Sequence, residues 1–142
     1  MINLIILGIP FPKQSFRFTK TGIRYIPKKI ENEQGSIRAQ IIQQLPKDFE
    51  PFDKGVIIER LLFVFPPLKG FSKKKMKELE EGKEIYKITR PDLTDNLLKG
   101  LMDALEGIVF VNDSQICEIK NIKKIYGLKP RTEIILREVE EK

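Results

Sequence analysis

The sequence predicts an α+β fold, a single domain with a mixed β-sheet of about four to five strands, two main helices and one short additional helix. Apolar runs of strand length alternate with stretches of helical periodicity, in the order β-α-β-(α)-β-α-β-β. The 142 residues have the length of one ordinary domain, and the 41% apolar content suffices for one core. No internal repeat or low-complexity linker divides residues 1–142, which we therefore assign to one domain.

Five apolar runs are the strand candidates. They span residues 2–9, 56–65, 85–89, 116–125 and 132–139. The first run is a continuous apolar run that ends at Pro10, so we expect a buried strand. The second run is the strongest, and Pro66 and Pro67 stop it because proline cannot donate to a β-ladder.

Three stretches have helical signals. Residues 31–45 carry Ile37, Ile41 and Leu45 at fourfold spacing, which is typical of a helix with one apolar face. Ser72 is a candidate N-cap for a short helix that runs to about Glu81 and ends at Gly82. The strongest helix spans residues 95–106, ends at Gly107 and turns one apolar stripe to the core, made of Leu97, Leu98, Leu101 and Leu105.

Composition excludes several chemistries. The chain has no histidine, which rules out Ser-His-Asp and Cys-His catalysis and histidine-bound metals. The single cysteine, Cys117, allows neither an intramolecular disulfide nor a cysteine-based zinc site. Hydrolysis would therefore require carboxylates, lysine and a hard metal ion with oxygen ligands. The net charge of +6 favours a polyanionic partner.

Charged residues recur along one face of the strongest helix. Asp95, Lys99 and Asp103 are four residues apart, and Asp92 lies just ahead of the first turn. Clustered carboxylates bind Mg²⁺, and a lysine neutralises the charge that develops on a phosphate under attack. The same spacing is also that of an ordinary helix with Asp92 as its cap and two surface ion pairs, Asp95–Lys99 and Lys99–Asp103.

The wider motif favours the catalytic interpretation. Residues 90–116 read R-P-D-L-T-D-N-L-L-K-G-L-M-D-A-L-E-G-I-V-F-V-N-D-S-Q-I. This stretch resembles the signature of the RusA family of crossover junction endodeoxyribonucleases, [KR]-P-D-x-D-N-x-x-K-x-x-x-D-A-L-x-G followed by D-D-x-Q-[IV]. The resemblance extends over essentially the whole chain and is specific between residues 86 and 123. Within the family, the sequence is similar to phage and prophage members.

The resemblance assigns roles by position. Asp92, Asp95 and Asp113 match the metal-binding carboxylates of the family, and Lys99 matches its catalytic lysine. Asn96 and Asp103 match supporting positions. The implied cofactor is Mg²⁺, with Mn²⁺ as a substitute. The implied partners are a four-way DNA junction and a second copy of the chain in a homodimer, whose two sites would make paired symmetric nicks.

Two positions depart from the family pattern. Thr94 is an additional residue, so the first two carboxylates are three residues apart instead of two, and Asp92 is expected to rotate relative to Asp95. Asn112 replaces the first aspartate of the D-D pair, which removes one negative charge beside Asp113.

Three basic stretches are candidate DNA contacts. Residues 13–29 contain six Lys or Arg and no acid, with Phe16 and Phe18 interleaved, a mixture suited to phosphate contact and base stacking. The candidates are Lys13, Arg17, Lys20, Arg24, Lys28 and Lys29 in that stretch, Lys73, Lys74 and Lys75 in the short helix, and Lys120, Lys123 and Lys124 after Asp113. For the lysines of the short helix a solvated charge run is the favoured interpretation, and for those after Asp113 a solvated strand edge is the alternative to a DNA contact. Phe16 and Phe18 are also candidates for the core.

Two other functions stay open. Asp92, Glu118 and Lys120 match the loose PD-(D/E)xK nuclease pattern, with Glu118 and Lys120 on one strand face. Alternatively, the protein is a non-catalytic junction- or RNA-binding derivative of such a nuclease, as the departures at Thr94 and Asn112 allow. No secretory leader or bilayer-length apolar run is present, so we expect a cytoplasmic protein without a membrane.

Overall fold

The computed structural model describes residues 1–10, 17–18, 24–25 and 28–140, with side chains for residues 1–10 and 35–140. Within these residues, six strands form one mixed sheet and three α-helices accompany it. The predicted α+β class with a mixed sheet is thereby confirmed. No helix in the described ranges is long and apolar enough to cross a bilayer.

The large sheet is built around its longest strand. Its members are β1 (Ile2–Leu7), β4 (Val56–Phe65), β5 (Ile85–Tyr86), β6 (Ile116–Ile119), β7 (Ile122–Tyr126) and β8 (Arg131–Glu138). The order is β1-β8-β4-β7-β5, with β6 also pairing with β4. Strand β4 is antiparallel to β8 and parallel to β6 and β7. Two short strands, β2 (Arg17–Phe18) and β3 (Arg24–Tyr25), form a separate antiparallel pair.

The helices are α1 (Lys28–Gln44), α2 (Lys73–Glu80) and α3 (Lys99–Leu105). Ser72 caps α2 as predicted, since its hydroxyl accepts the Lys75 N–H at 3.1 Å. Gly82 and Gly107 follow α2 and α3 with φ of 88° and 83°, a backbone region that favours glycine.

The core lies between one face of the sheet and the helices. Helix α3 contributes Leu101, Met102, Ala104 and Leu105, which pack with Leu4, Phe63 and Ile134 of the strands. Side chains three and four residues apart lie on one face of a helix, and alternate side chains lie on one face of a strand. The apolar face of α3 therefore packs on the inward face of the sheet. This packing anchors the helix whose N-terminal end carries the candidate site.

Strand β1 confirms the predicted strand at residues 2–9 but is buried on one face only. It is an edge strand in which Leu4 and Ile6 are buried while Ile5 and Leu7 are 41% and 53% exposed. Its free edge bonds to glutamine side chains of α1 instead of another strand. Gln44 Oε1 and Nε2 each lie 2.8 Å from the Ile5 N and O, and Gln40 contacts Leu7 in the same way. These amides satisfy the backbone groups that make an open edge prone to pairing.

Residues 116–125 form two strands where one was predicted. The break falls at Lys120 and Asn121, opposite Glu59, where the pairing of β4 with β8 also shifts register. The predicted strand at residues 85–89 is shorter than expected and ends at Tyr86. Residues 56–65 form the expected strand, and the last strand spans Arg131–Glu138 in place of residues 132–139.

Candidate active site

The helix that carries the motif begins with a π turn. We expected this helix to start at residue 95, but it starts at Leu93, with π geometry over Leu93–Leu98 that continues directly into α3. The Leu97 N–H donates to the Asp92 carbonyl, five residues back, at 3.0 Å. A π turn holds about one residue more than an α turn. The additional residue Thr94 lies inside this widened turn, which accommodates it without breaking the helix.

Asp92 stands at the N-terminal boundary of the π turn, but its carboxylate does not cap the helix. Its backbone is extended, with φ −66° and ψ 140°, and its side chain makes no capping hydrogen bond. Asp92 and Asp95 are both exposed. Asp92 therefore occupies the predicted N-cap position, but its carboxylate oxygens make no capping bond.

Lys99 faces Asp113 instead of its helix neighbours. Its Nζ lies 3.7 Å from the Asp113 Oδ2, whereas among the described side chains it forms no ion pair with Asp95 or Asp103. The pairs Asp95–Lys99 and Lys99–Asp103, which an ordinary solvated helix would form, are therefore absent among the described side chains. Lys99 and Asp113 come from different elements, so this contact joins the two halves of the motif in space.

Asp113 opens a short 3₁₀ turn, Asp113–Gln115, that is held by a capping box. The Asn112 side chain accepts the Ser114 N–H at 2.9 Å, and the Gln115 Oε1 accepts the Asn112 N–H at 2.7 Å. The Gln115 Nε2 donates to the carbonyls of Phe52 and Lys54, both at 2.7 Å. Asparagine and aspartate both cap such turns well, so Asn112 preserves the turn and changes only its charge.

Glu106 is a supporting residue that the sequence did not single out. One carboxylate oxygen accepts the Asp113 backbone N–H at 3.1 Å. Glu106 lies at the C-terminal boundary of α3, so this bond ties the end of α3 to the turn that carries Asp113. No sequence signal marked this residue, because the bond depends on how the chain reverses at Gly107.

An open depression of about 200 Å³ lies beside this contact. Its charged lining residues are Lys99 and Asp113, and its other lining residues are Thr94, Leu98, Met102, Ile116 and Ile119. One anionic and one cationic group therefore border a mostly apolar floor. The depression is open to solvent, as access by a large substrate requires.

The donor set fits a hard cation in its chemistry, because the candidate ligands are carboxylate oxygens only. Within the described ranges, no group of three Asp, Glu or Cys side chains lies close enough to hold a metal ion. Mg²⁺ in phosphoryl-transfer sites is commonly bound by one or two carboxylates, water and substrate phosphates, without an all-protein cage. Asp92, Asp95 and Asp113 as metal ligands therefore stay a prediction.

The two other residues of the motif have these positions. Asn96 is half-buried in the π turn. Asp103 is half-buried on α3, and its backbone carbonyl accepts a hydrogen bond from the Arg38 guanidinium at 3.2 Å. Their supporting roles stay predictions.

The lysines of the short helix are accessible. Lys73 and Lys74 are exposed in the first turn of α2, and the Lys75 ammonium lies 4.3 Å from the centre of the Phe71 ring. Lys74 and Lys75 also line an open groove that contains Lys83 and Tyr86. Lys13 and Lys20 lie outside the described residues. Arg17, Arg24, Lys28 and Lys29 belong to described backbone elements whose side chains are not described.

The lysines after Asp113 are engaged within the protein. Lys120 pairs with Glu59 at 3.0 Å, and Lys123 pairs with Glu84 at 3.1 Å. Lys124 donates to the carbonyls of Thr89 and Pro91 at 2.7 and 2.9 Å. All three lysines are predicted DNA contacts, and that role stays a prediction.

Glu59 is the most strongly paired carboxylate in the described part of the chain. The Arg137 Nε lies 2.6 Å from one of its oxygens and the Lys120 Nζ 3.0 Å from the other. Hydrogen bonds from Arg137 first and Lys120 second hold the pKa of Glu59 below its ordinary value. The Lys120 that the PD-(D/E)xK pattern requires is therefore bonded to Glu59, and Glu118 is exposed on β6.

Fold and site together define an α+β protein with exposed carboxylates and a lysine at the start of a core helix. The family model for Endodeoxyribonuclease RusA matches residues 8–137. The chain therefore belongs to the endodeoxyribonuclease RusA family, as the resemblance of its motif predicted.

One relative is the Uncharacterized protein YqaN of Bacillus subtilis (strain 168). It is 41% identical to this chain over 68 residues, which are 48% of this chain and 46% of that protein. The chain thus spans slightly less than half the length of this relative.

Proposed function

We propose that this protein is a Mg²⁺-dependent endodeoxyribonuclease that resolves four-way (Holliday) DNA junctions by paired symmetric nicks. Membership of the RusA family supports the class of activity. The observation that carries the assignment to this site is the approach of Lys99 to Asp113 across an open depression. An ordinary solvated helix would have paired Lys99 with Asp95 or Asp103 and used the Asp92 carboxylate as its cap.

Asp92, Asp95 and Asp113 are the residues that would hold the cation. When bound, Mg²⁺ would polarise the scissile phosphate and lower the pKa of an attacking water. Asp92 and Asp95 supply exposed carboxylates at the start of the helix, where the positive end of the helix dipole already favours negative charge. Asp113 would add a third carboxylate from a separate turn that Glu106 and Gln115 hold in place.

Lys99 would stabilise the negative charge that develops on the phosphate during cleavage. Its pair with Asp113 is loose, since the distance is 3.7 Å and the two side chains are 48% and 38% exposed. Exposed pairs of this kind contribute only about 0.2–1 kcal/mol. The ammonium is therefore able to turn from Asp113 to a phosphate oxygen at little energetic cost.

The rest of the assignment concerns the surroundings of the site. Lys73, Lys74 and Lys75 would contact the DNA backbone from the accessible side of α2, together with the basic residues of segment 13–29. Asn96 and Asp103 would support the helix from within the motif. A homodimer with two such sites would cut opposing strands of the junction. The protein would act in the cytoplasm.

A labelled synthetic four-way junction tests this function, with linear duplex of the same sequence for comparison. The wild type should nick opposing strands of the junction in Mg²⁺ and leave the duplex intact. Asp113→Asn should reduce cleavage at least ~100-fold, since a metal ligand and the partner of Lys99 are changed together. Asp48→Asn, a charge-matched change in an exposed loop, should cut like the wild type.

Other outcomes would overturn the proposal. Junction binding without cutting in both Mg²⁺ and Mn²⁺ would identify a non-catalytic binding protein. Loss of cutting in Glu118→Gln but not in Asp113→Asn would identify the PD-(D/E)xK arrangement. Equal cutting of duplex and junction would mean that the protein is a nuclease without selectivity for junctions.

A further inference from the structure

Lys124 occupies an unusual position for a lysine in a basic protein. It lies on β7 directly opposite Phe63, whose side chain is buried in the core, so Lys124 points to the helix-covered face of the sheet. It is half-buried, and its Nζ donates to the Thr89 carbonyl at 2.7 Å and to the Pro91 carbonyl at 2.9 Å. Its neighbour Lys123 instead pairs with the exposed Glu84.

The segment that leads into the motif is tied to the same residue a second time. The Lys87 N–H donates to the Lys124 backbone carbonyl at 2.9 Å, which continues the pairing of β5 with β7. The Lys87 side chain also bonds to the Thr89 hydroxyl at 2.8 Å. Strand β5 ends at Tyr86. Beyond that point the segment is bonded to β7 by the Lys124 side chain and no longer by the β-ladder.

The tethered carbonyls lie directly before the candidate metal ligand. Pro91 precedes Asp92, whose backbone is extended and whose carboxylate has no capping bond to hold it. The orientation of Asp92 therefore depends on the backbone immediately ahead of it. Two of the three ammonium protons of Lys124 bond to that backbone, and carbonyl oxygens are strong acceptors for a charged donor.

We propose that Lys124 is a positioning residue for Asp92, in place of the phosphate contact expected from its sequence. It holds the segment Thr89–Pro91 against β7 and thereby fixes the backbone from which the Asp92 side chain projects. The proposal rests on the proposed function for its link to cleavage. Its structural part, the ordering of Asp92 for a divalent cation, is independent of cleavage.

The test compares Lys124→Met, Lys124→Arg and the charge-matched surface change Lys47→Met. Methionine keeps a stem of similar length and removes the donors, whereas arginine restores a charged donor able to bond two carbonyls. Three quantities are measured for each protein. They are Mn²⁺ affinity of the free protein, the Mg²⁺ concentration for half-maximal junction cleavage, and junction affinity as a function of salt.

Residues that orient metal ligands typically change metal affinity or activity ~10–100-fold when they are replaced. We therefore expect Lys124→Met to weaken Mn²⁺ binding and to raise the Mg²⁺ requirement about 10–100-fold relative to Lys47→Met. Its junction affinity and salt dependence should equal those of Lys47→Met. Lys124→Arg should recover most of the metal affinity.

Two results would overturn the proposal. One is a Lys124→Met protein whose metal dependence matches that of Lys47→Met. The other is weaker junction binding with a salt slope reduced by about one and an unchanged Mg²⁺ requirement, which identifies a phosphate contact. If Lys124→Met does not fold, Lys124→Leu, which also lacks a donor, is judged by the same criteria. If the wild type does not cut, the proposed function fails, and Mn²⁺ binding still decides the role of Lys124.

Discussion

Replacing Gln115 by alanine should destabilise the turn that carries Asp113. The side chain makes three hydrogen bonds, one from the Asn112 N–H and two to the carbonyls of Phe52 and Lys54, all at 2.7 Å. A neutral hydrogen bond contributes about 0.5–1.5 kcal/mol net, and water can replace those at exposed ends. The expected loss in free energy of unfolding is therefore roughly 2–3 kcal/mol.

Calorimetry or thermal circular dichroism measures this loss. For a chain of this length the unfolding entropy makes 1 kcal/mol equivalent to about 3 °C, so Tm should fall by about 6–9 °C. Junction cleavage at a temperature where the variant is folded should also fall, because Asp113 loses its support. Gln43→Ala, an exposed change on α1, is the matched control. A Gln115→Ala protein whose Tm lies within about 1 °C of that control would refute the reasoning.

Three further predictions concern charge. Lys99→Ala should slow junction cleavage at least ~100-fold while weakening binding less than ~3-fold, since its role is in the transition state. Asp92→Asn and Asp95→Asn should each abolish cutting and keep or strengthen junction binding, because each change removes negative charge beside phosphate. Glu59 has a lowered pKa, so its contribution to stability is present above its unfolded-state value of 4.5 and is lost as pH falls through its folded-state value. The Tm advantage of the wild type over Glu59→Gln should therefore shrink as pH falls below 4.5.

Single-turnover cleavage and native-gel binding test the first two of these predictions, and thermal unfolding between pH 3 and pH 7 tests the third. Equal losses of binding and cleavage in Lys99→Ala would indicate a DNA contact alone. Loss of folding in Asp92→Asn would mean that its carboxylate supports the helix after all. A Tm difference for Glu59→Gln that grows on acidification would contradict the pairing with Arg137.

Much of the fold was predictable because it depends on local patterns. The strand at residues 56–65 and the cap at Ser72 follow from apolar runs and from a hydroxyl that reaches a free N–H, both of which are short-range. The strand at residues 2–9 was predicted correctly as a strand, but its burial was not, because an apolar run does not reveal whether a second layer covers the other face of the sheet. The partners at its free edge are Gln40 and Gln44, more than thirty residues away.

The members of the candidate site were proposed from the sequence and stay a prediction, whereas their geometry could not be predicted. The motif and the family pattern identified Asp92, Asp95, Lys99 and Asp113 as a set. The π turn that accommodates Thr94 was not expected, because helical periodicity read from side chains assumes 3.6 residues per turn.

By itself the sequence determined the fold class, the membership of the RusA family and the exclusion of histidine chemistry, because each of these depends on which residues are present and on their spacing. Only the tertiary structure decided which partner each charged group meets. Lys99 turns to Asp113, Lys124 to two backbone carbonyls and Lys120 to Glu59. A lysine stem reaches any acceptor within several ångströms, so its partner depends on distances between segments remote in the chain. The bonds of Lys124 to the Thr89 and Pro91 carbonyls therefore could not be predicted from the sequence, which predicts a DNA contact for this lysine.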